Sequence, residues 1–135
     1  MSTLAVGTIK SISSAAPAFQ NTSGTEIGQL AKVWVNFDGS FGTSPFTEAN
    51  GGIRDSFNVS SVTDNGTGDY TVNFSNSIGS SDYCTLCTCA DPGTANIGTN
   101  IKTDTTPTAS LVRVSSATQY TTVVDPTIFC VAIFG

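Results

Sequence analysis

Apolar and polar positions alternate along most of this chain with a period of two, the spacing of a half-buried β-strand. The clearest case is "LAKVWVNFDG". There Val33, Val35 and Phe37 share one side, and Lys32, Trp34 and Asn36 the other. Asp38-Gly39 then supplies turn chemistry. "IRDSFNVSSVT" reads as the next strand, with Phe57 and Val59 on one face. The run "FNVSSVTDNGTGDYTVNF" reads as a hairpin, with Tyr70, Val72 and Phe74 aligned on its return arm. Asn65-Gly66 marks the turn, because both residues tolerate positive φ. The connection exceeds two residues, so a bulge or wider turn is expected.

Further strands are predicted at "YCTLCTCA", "ASLVRVSSAT" and "TIFCVAIFG". Residues 40–52 and 91–108 read as loops, the second with room for one short edge strand. No segment carries a convincing 3.6-residue period. Seven or eight strands at this spacing predict an all-β domain, an antiparallel β-sandwich or a small barrel, over residues 29–135. Residues 1–28 read as an extended N-terminal arm. Pro17 and Gly24 argue against a helix there, although "TLAVGTIKSI" suits a short strand.

The last strand is apolar on both faces. Ile128, Cys130, Ala132 and Phe134 lie on one, and Phe129, Val131 and Ile133 on the other. A strand with two dry faces sits either at the centre of a core or between subunits. Candidate interface residues are therefore Ile128, Phe129, Val131, Ile133 and Phe134. From the arm, Leu4, Val6 and Ile9 join them. An arm of this composition is expected to be held by a neighbouring chain, by strand addition.

Composition narrows the function. Charged residues make up 11% of the chain, and Ser, Thr, Gly and Asn replace them. Eight Phe and three Tyr argue for an ordered domain rather than a disordered one. Net charge is −5, and Lys10, Lys32, Arg54, Lys102 and Arg113 are scattered. No basic patch tracks a phosphate backbone, so neither nucleic acid nor an anionic membrane is expected as a partner. A neutral polar surface buries against protein with little desolvation of charge. The first residues lack the apolar core of a signal peptide, so folding in a cytoplasm is expected. The sequons at Asn21, Asn58, Asn65 and Asn73 carry no weight in that setting.

Candidate chemistry is sparse. Cys84, Cys87 and Cys89 invite a zinc reading, but tetrahedral zinc needs four ligands. Only Cys130 remains, and there is no histidine. On a strand Cys84 faces away from Cys87 and Cys89, so buried free thiols are the preferred reading and no metal is expected. Under oxidising conditions Cys87 or Cys89 is the expected partner of Cys130. "DNGTGD" offers oxygens from Asp64, Asn65 and Asp69 but does not match a calcium loop. Without histidine the commonest general base is missing. The carboxylate pairs Asp64/Asp69 and Asp38/Asp55 sit in or beside turns, where Asp is common. No catalytic residue, cofactor or enzymatic activity is expected. Trp34, Tyr83 and Tyr120 suit sugar stacking, but aromatics more often fill cores and interfaces.

"LAKVWVNFDG", "IRDSFNVSSVTDNGTGDYTVNF" and "DYC", with the lead-in "GTIKS…FQNTSGTEIGQL", resemble a family of small tail-fibre-like virion surface proteins. Tailed bacteriophages encode them, especially phages of cyanobacteria and other aquatic bacteria. The resemblance spans residues 7–84. It departs at "SFGTSPFTEANGG", where the family more often has a shorter turn, and the stretch after residue 90 gives no match. It implies a β-structured virion protein, made in the host cytoplasm and forming a homotrimer. Of the roles this allows, a capsid decoration (cement) protein bound to the major capsid protein is the expectation, ahead of a receptor-binding tail-fibre or tail-appendage head. A compact domain, a clasping arm and a self-association surface are what a cement protein needs. The chain is too short for a fibre shaft.

Overall fold

The computed structural model describes residues 19–94, 96–119 and 122–135. The chain divides into two units, residues 1–30 and 31–135. In the first, β1 (Phe19–Gln20) and β2 (Glu26–Gly28) pair antiparallel. Asn21 closes their loop, its side-chain oxygen accepting the backbone N–H groups of Ser23 and Thr25 at 3.0 and 2.9 Å. This part of the arm is therefore a small hairpin rather than extended chain. The proposed strand at "TLAVGTIKSI" lies outside the described residues, as do Leu4, Val6 and Ile9.

The second unit is an all-β sandwich of two four-stranded antiparallel sheets, with no closed barrel. Its strands are β3 (Val33–Phe37), β4 (Ile53–Phe57), β5 (Val59–Gly66), β6 (Asp69–Phe74), β7 (Cys84–Ala90), β8 (Ile97–Ile101), β9 (Leu111–Thr118) and β10 (Ile128–Phe134). One sheet has the order β4-β3-β10-β7 and the other β5-β6-β9-β8. No described residue is helical.

The alternation seen in the sequence sorts the side chains. Val33, Val35 and Phe37 of β3 meet Phe129, Val131 and Ile133 of β10 on the inner face of the first sheet. Tyr70, Val72 and Phe74 of β6, with Val112 and Val114 of β9, line the second. Phe37 stacks on Phe129 with ring centroids 5.0 Å apart, and Tyr70 meets both edge-on at 5.1 and 5.5 Å. Full burial of each such side chain contributes about 1.5–3 kcal/mol.

"IRDSFNVSSVT" is not one strand but two, in different sheets. Asn58, at φ 58°, breaks it between β4 and β5. Asn is among the few non-glycine residues that tolerate this region, and here its side chain fixes the crossing. Asn58 Nδ2 donates to the carbonyls of Lys32 and Asn76, and its Oδ1 accepts the backbone N–H of Asn76 at 2.8 Å. Phe57 and Val59 consequently belong to different sheets.

The hairpin β5–β6 forms as expected, but its turn lies beyond Asn65-Gly66. Asp64 faces Tyr70 and Gly66 faces Asp69, with a bulge at Asn65, so the chain reverses at Thr67-Gly68. Gly68, at φ +65°, packs so closely that a Cβ there would strike the carbonyl of Ser116. The 40–52 loop is also more than a connection. Phe46 exchanges backbone hydrogen bonds with Val62 at 2.7 and 3.0 Å, and its ring is fully buried.

Candidate functional site

The core consumes the inner faces, and the two outer faces differ chemically. Paired residues on neighbouring antiparallel strands point the same way. On the outside of the β4-β3-β10-β7 sheet, one cross-strand row therefore reads Phe57, Trp34, Ala132, Leu86. Phe57 is 54% exposed and Leu86 58%. Ala132 is the small member, so a groove runs over β10 between taller neighbours. The groove is apolar, has a volume of about 300 Å³ and is lined by Trp34, Asn36, Leu86, Thr88, Cys130 and Ala132. One end of this face is polar. Arg54 reaches across it, its guanidinium 3.1 Å from Asp38 Oδ2 and 2.6 Å from the carbonyl of Thr127.

The outside of the β5-β6-β9-β8 sheet is a lattice of hydroxyl, amide and charged groups. Asn73 Nδ2 donates to Ser61 Oγ at 3.2 Å and Thr63 Oγ1 at 3.0 Å, and Asn65 Nδ2 to Thr71 Oγ1 at 2.9 Å. The Asp69 carboxylate accepts Nε and Nη2 of Arg113 at 2.7 and 2.8 Å, and Lys102 Nζ at 2.7 Å. Burial pushes the Asp69 carboxyl up, but the hydrogen bonds from Arg113 and Lys102 outweigh it and hold the group below its ordinary range. An acid so held stays ionised and donates no proton near neutrality.

The candidate residues scatter accordingly. Ile128 and Phe134 lie on the outer face of their sheet. Phe129, Val131 and Ile133 are buried in the core, which leaves them no side-chain surface for a neighbour. They are core residues, and the central position of β10 explains the inner of its two apolar faces. Its outer face carries no second sheet of the sandwich. Phe57, Leu86 and Ala132 join it only through strand pairing. The out-of-phase leucine in "CTLCTCA" was the available signal for one of them.

Cys87 and Cys89 turn inward, while Cys84 and Cys130 face outward. The β7–β10 ladder thus keeps Cys130 from pairing with Cys87 or Cys89 and keeps the four thiols from converging on one ion. Burial, reinforced by neighbouring Cys89, pushes the Cys87 thiol up to about 11. The carboxylates serve turns and loops. Asp64 Oδ1 accepts the N–H of Gly66 at 2.8 Å, and Asp38 Oδ1 that of Ser40 at 3.0 Å. Asp55 caps Ser56. Asp125 Oδ1 takes the Tyr70 hydroxyl at 2.6 Å and the Gly68 N–H at 2.7 Å. Tyr83 donates to the carbonyl of Leu111 at 2.8 Å and packs against Phe74, so it is structural. Tyr120 lies outside the described residues. Among the described residues, no helix is long and apolar enough to cross a membrane.

Fold and faces together define an antiparallel two-sheet sandwich with one apolar and one polar outer face. No protein-family model matches the chain, and no curated protein does. Among solved structures, it is similar to the phiAB6 tailspike, solved in complex with three-repeated oligosaccharides of Acinetobacter baumannii surface polysaccharide. That likeness has a TM-score of 0.47 and 18% identity, and covers 94% of this chain and 30% of the tailspike. The chain thus spans under a third of that protein.

Proposed function

We propose that this chain is a structural protein of a tailed-bacteriophage virion that acts by binding, as the head of a tail appendage displayed toward a host surface. The observation that carries this reading is the opposite chemistry of the two outer sheet faces. An apolar face suits burial against protein, including a further copy of the chain. A face of hydroxyls and amides suits display to water and to polar surface groups.

A capsid decoration protein shares the need for self-association but also requires a second surface that grips the shell. Among the described residues of the sandwich, the other exposed large apolar side chains, Ile101 and Val123, lie on or beside the opposite sheet. A cement role would therefore take its grip on the shell from the N-terminal segment alone, and the broad polar face left for display supports the appendage. In this reading the protein catalyses no reaction and takes no metal, nucleic acid or membrane as partner. Its attachment to the particle, through another virion protein, falls to the N-terminal segment.

Densitometry and immunogold labelling of purified virions test the assignment. Label at the tail, with roughly tens of copies per particle, supports it; label over the head at hundreds of copies replaces it with the cement role. Release of reducing sugar from host polysaccharide by the purified protein would overturn the non-catalytic reading.

A further inference from the structure

We propose that the outer face of the β4-β3-β10-β7 sheet is the surface on which a second copy of this chain docks, with Leu86 of one copy filling the groove over Ala132 of the other. This names the surface for the self-association in the reading above and rests on that reading.

Three features point to a second copy. First, the face carries both halves of a fit. Leu86 and Phe57 stand as ridges, and the Trp34–Ala132–Leu86 row forms the groove of about 300 Å³ that a ridge enters. The almost wholly apolar lining of that groove offers a sugar or an anion few partners, whereas an aliphatic side chain needs none.

Second, the two ends of the face differ in charge. Strand alternation puts Lys32 outward at one end of β3, where exposed Asp82 also lies, beside Gly135. The other end holds Asp38, Asp55 and Asp91 with one cation, Arg54. The first end is thus close to neutral and the second negative, and a second copy packed with its strand direction opposed keeps the two negative ends apart.

Third, the area suits a reversible self-contact. Four strands about 4.8 Å apart, two of five residues and two of seven, at ~3.3 Å per residue span roughly 400 Å². Two such faces bury roughly 800 Å², below the size of a stable complex, so a weak, readily reversed association is expected.

Trp34 is the only tryptophan, and it stands in the groove wall, so its emission reports docking directly. Light scattering after size exclusion and fluorescence should be measured on the full chain across a dilution series from about 100 μM to below 1 μM, a range chosen to bracket a micromolar dissociation constant. The expected result is a particle of two chain masses at the top of the series, a single chain mass at the bottom, and a red shift of Trp34 emission between them.

Leu86→Asp and Phe57→Ser, both at exposed positions, should keep the native melting transition and move the midpoint to at least tenfold higher concentration. Asn100→Lys, on the outside of the opposite sheet, should leave it unchanged. A single chain mass for the native protein throughout overturns the proposal, as does an oligomer that Leu86→Asp leaves intact. Neither outcome bears on where the protein sits on the particle, which the virion labelling decides separately.

Discussion

Replacing Tyr70 by Phe removes one oxygen from the centre of the sandwich. The ring keeps its contacts with Phe37, Phe46 and Phe129, so the change isolates the hydroxyl. That hydroxyl lies 2.6 Å from Asp125 Oδ1 and 3.1 Å from the carbonyl of Gly39. The fit around it is close, since a Cβ added at Gly39 would sit 2.6 Å from the Tyr70 oxygen. A hydrogen bond to a charged acceptor is worth about 1.5–3 kcal/mol, and the part-buried carboxylate loses one of the two partners it has among the described residues. We expect a loss of about 2–3 kcal/mol. At roughly 3–5 °C per kcal/mol for a domain of this size, that lowers Tm by ~6–15 °C.

Urea denaturation followed by Trp34 fluorescence measures this directly. The midpoint should fall while the slope is unchanged, because the surface exposed on unfolding is the same. Asp125→Ala and the double variant complete a cycle. If Asp125 is the partner that matters, the two losses overlap rather than add. A cost below about 0.5 kcal/mol for Tyr70→Phe, outside the range expected for such a bond, refutes the reasoning, as does strict additivity. The same site has an alkaline signature. Burial first, then the hydrogen bond to Asp125, raises the Tyr70 pKa. The unfolded chain loses this proton near pH ~10 and the folded one does not, so the stability it contributes falls as pH rises above that value. Tyr70→Phe should blunt that fall.

Asp69→Asn should destabilise the protein at pH 7. Because the Asp69 pKa is lowered in the fold, the native advantage is present above the unfolded value of about 3.9 and shrinks as pH drops through the folded one. Thermal melts between pH 7 and pH 2 should therefore show the two curves converging in acid. Phe129→Asp puts a carboxylate at a fully buried position in the aromatic cluster. Circular dichroism should show a loss of several kcal/mol or an insoluble product; a soluble, native-like variant would contradict the core placement of β10. In native protein a thiol reagent should modify the exposed Cys84 first. Cys87 and Cys89, whose thiols burial pushes up, should react only after unfolding, as peptide mapping by mass spectrometry would show.

Strand identity was legible because burial on one face imposes a period of two on the residues themselves. Val33-Val35-Phe37 and Tyr70-Val72-Phe74 could be assigned from that alternation alone, as could the opposed facing of Cys84 and Cys87. The scarcity of charge and the missing histidine likewise excluded whole classes of chemistry on composition alone. What the chain did not reveal was which strands would be neighbours. Asn58 looks like any strand-interior polar residue until its φ of 58° sends β4 and β5 to different sheets. Phe46 looks like a loop residue until Val62 takes its backbone. The apolar row Phe57–Trp34–Ala132–Leu86 draws its members from β3, β4, β7 and β10, separated by up to most of the chain length. Local alternation tells a side chain which of two faces to take, but only long-range hydrogen-bond pairing decides which other side chains share that face. The candidate docking surface is a product of the second step alone.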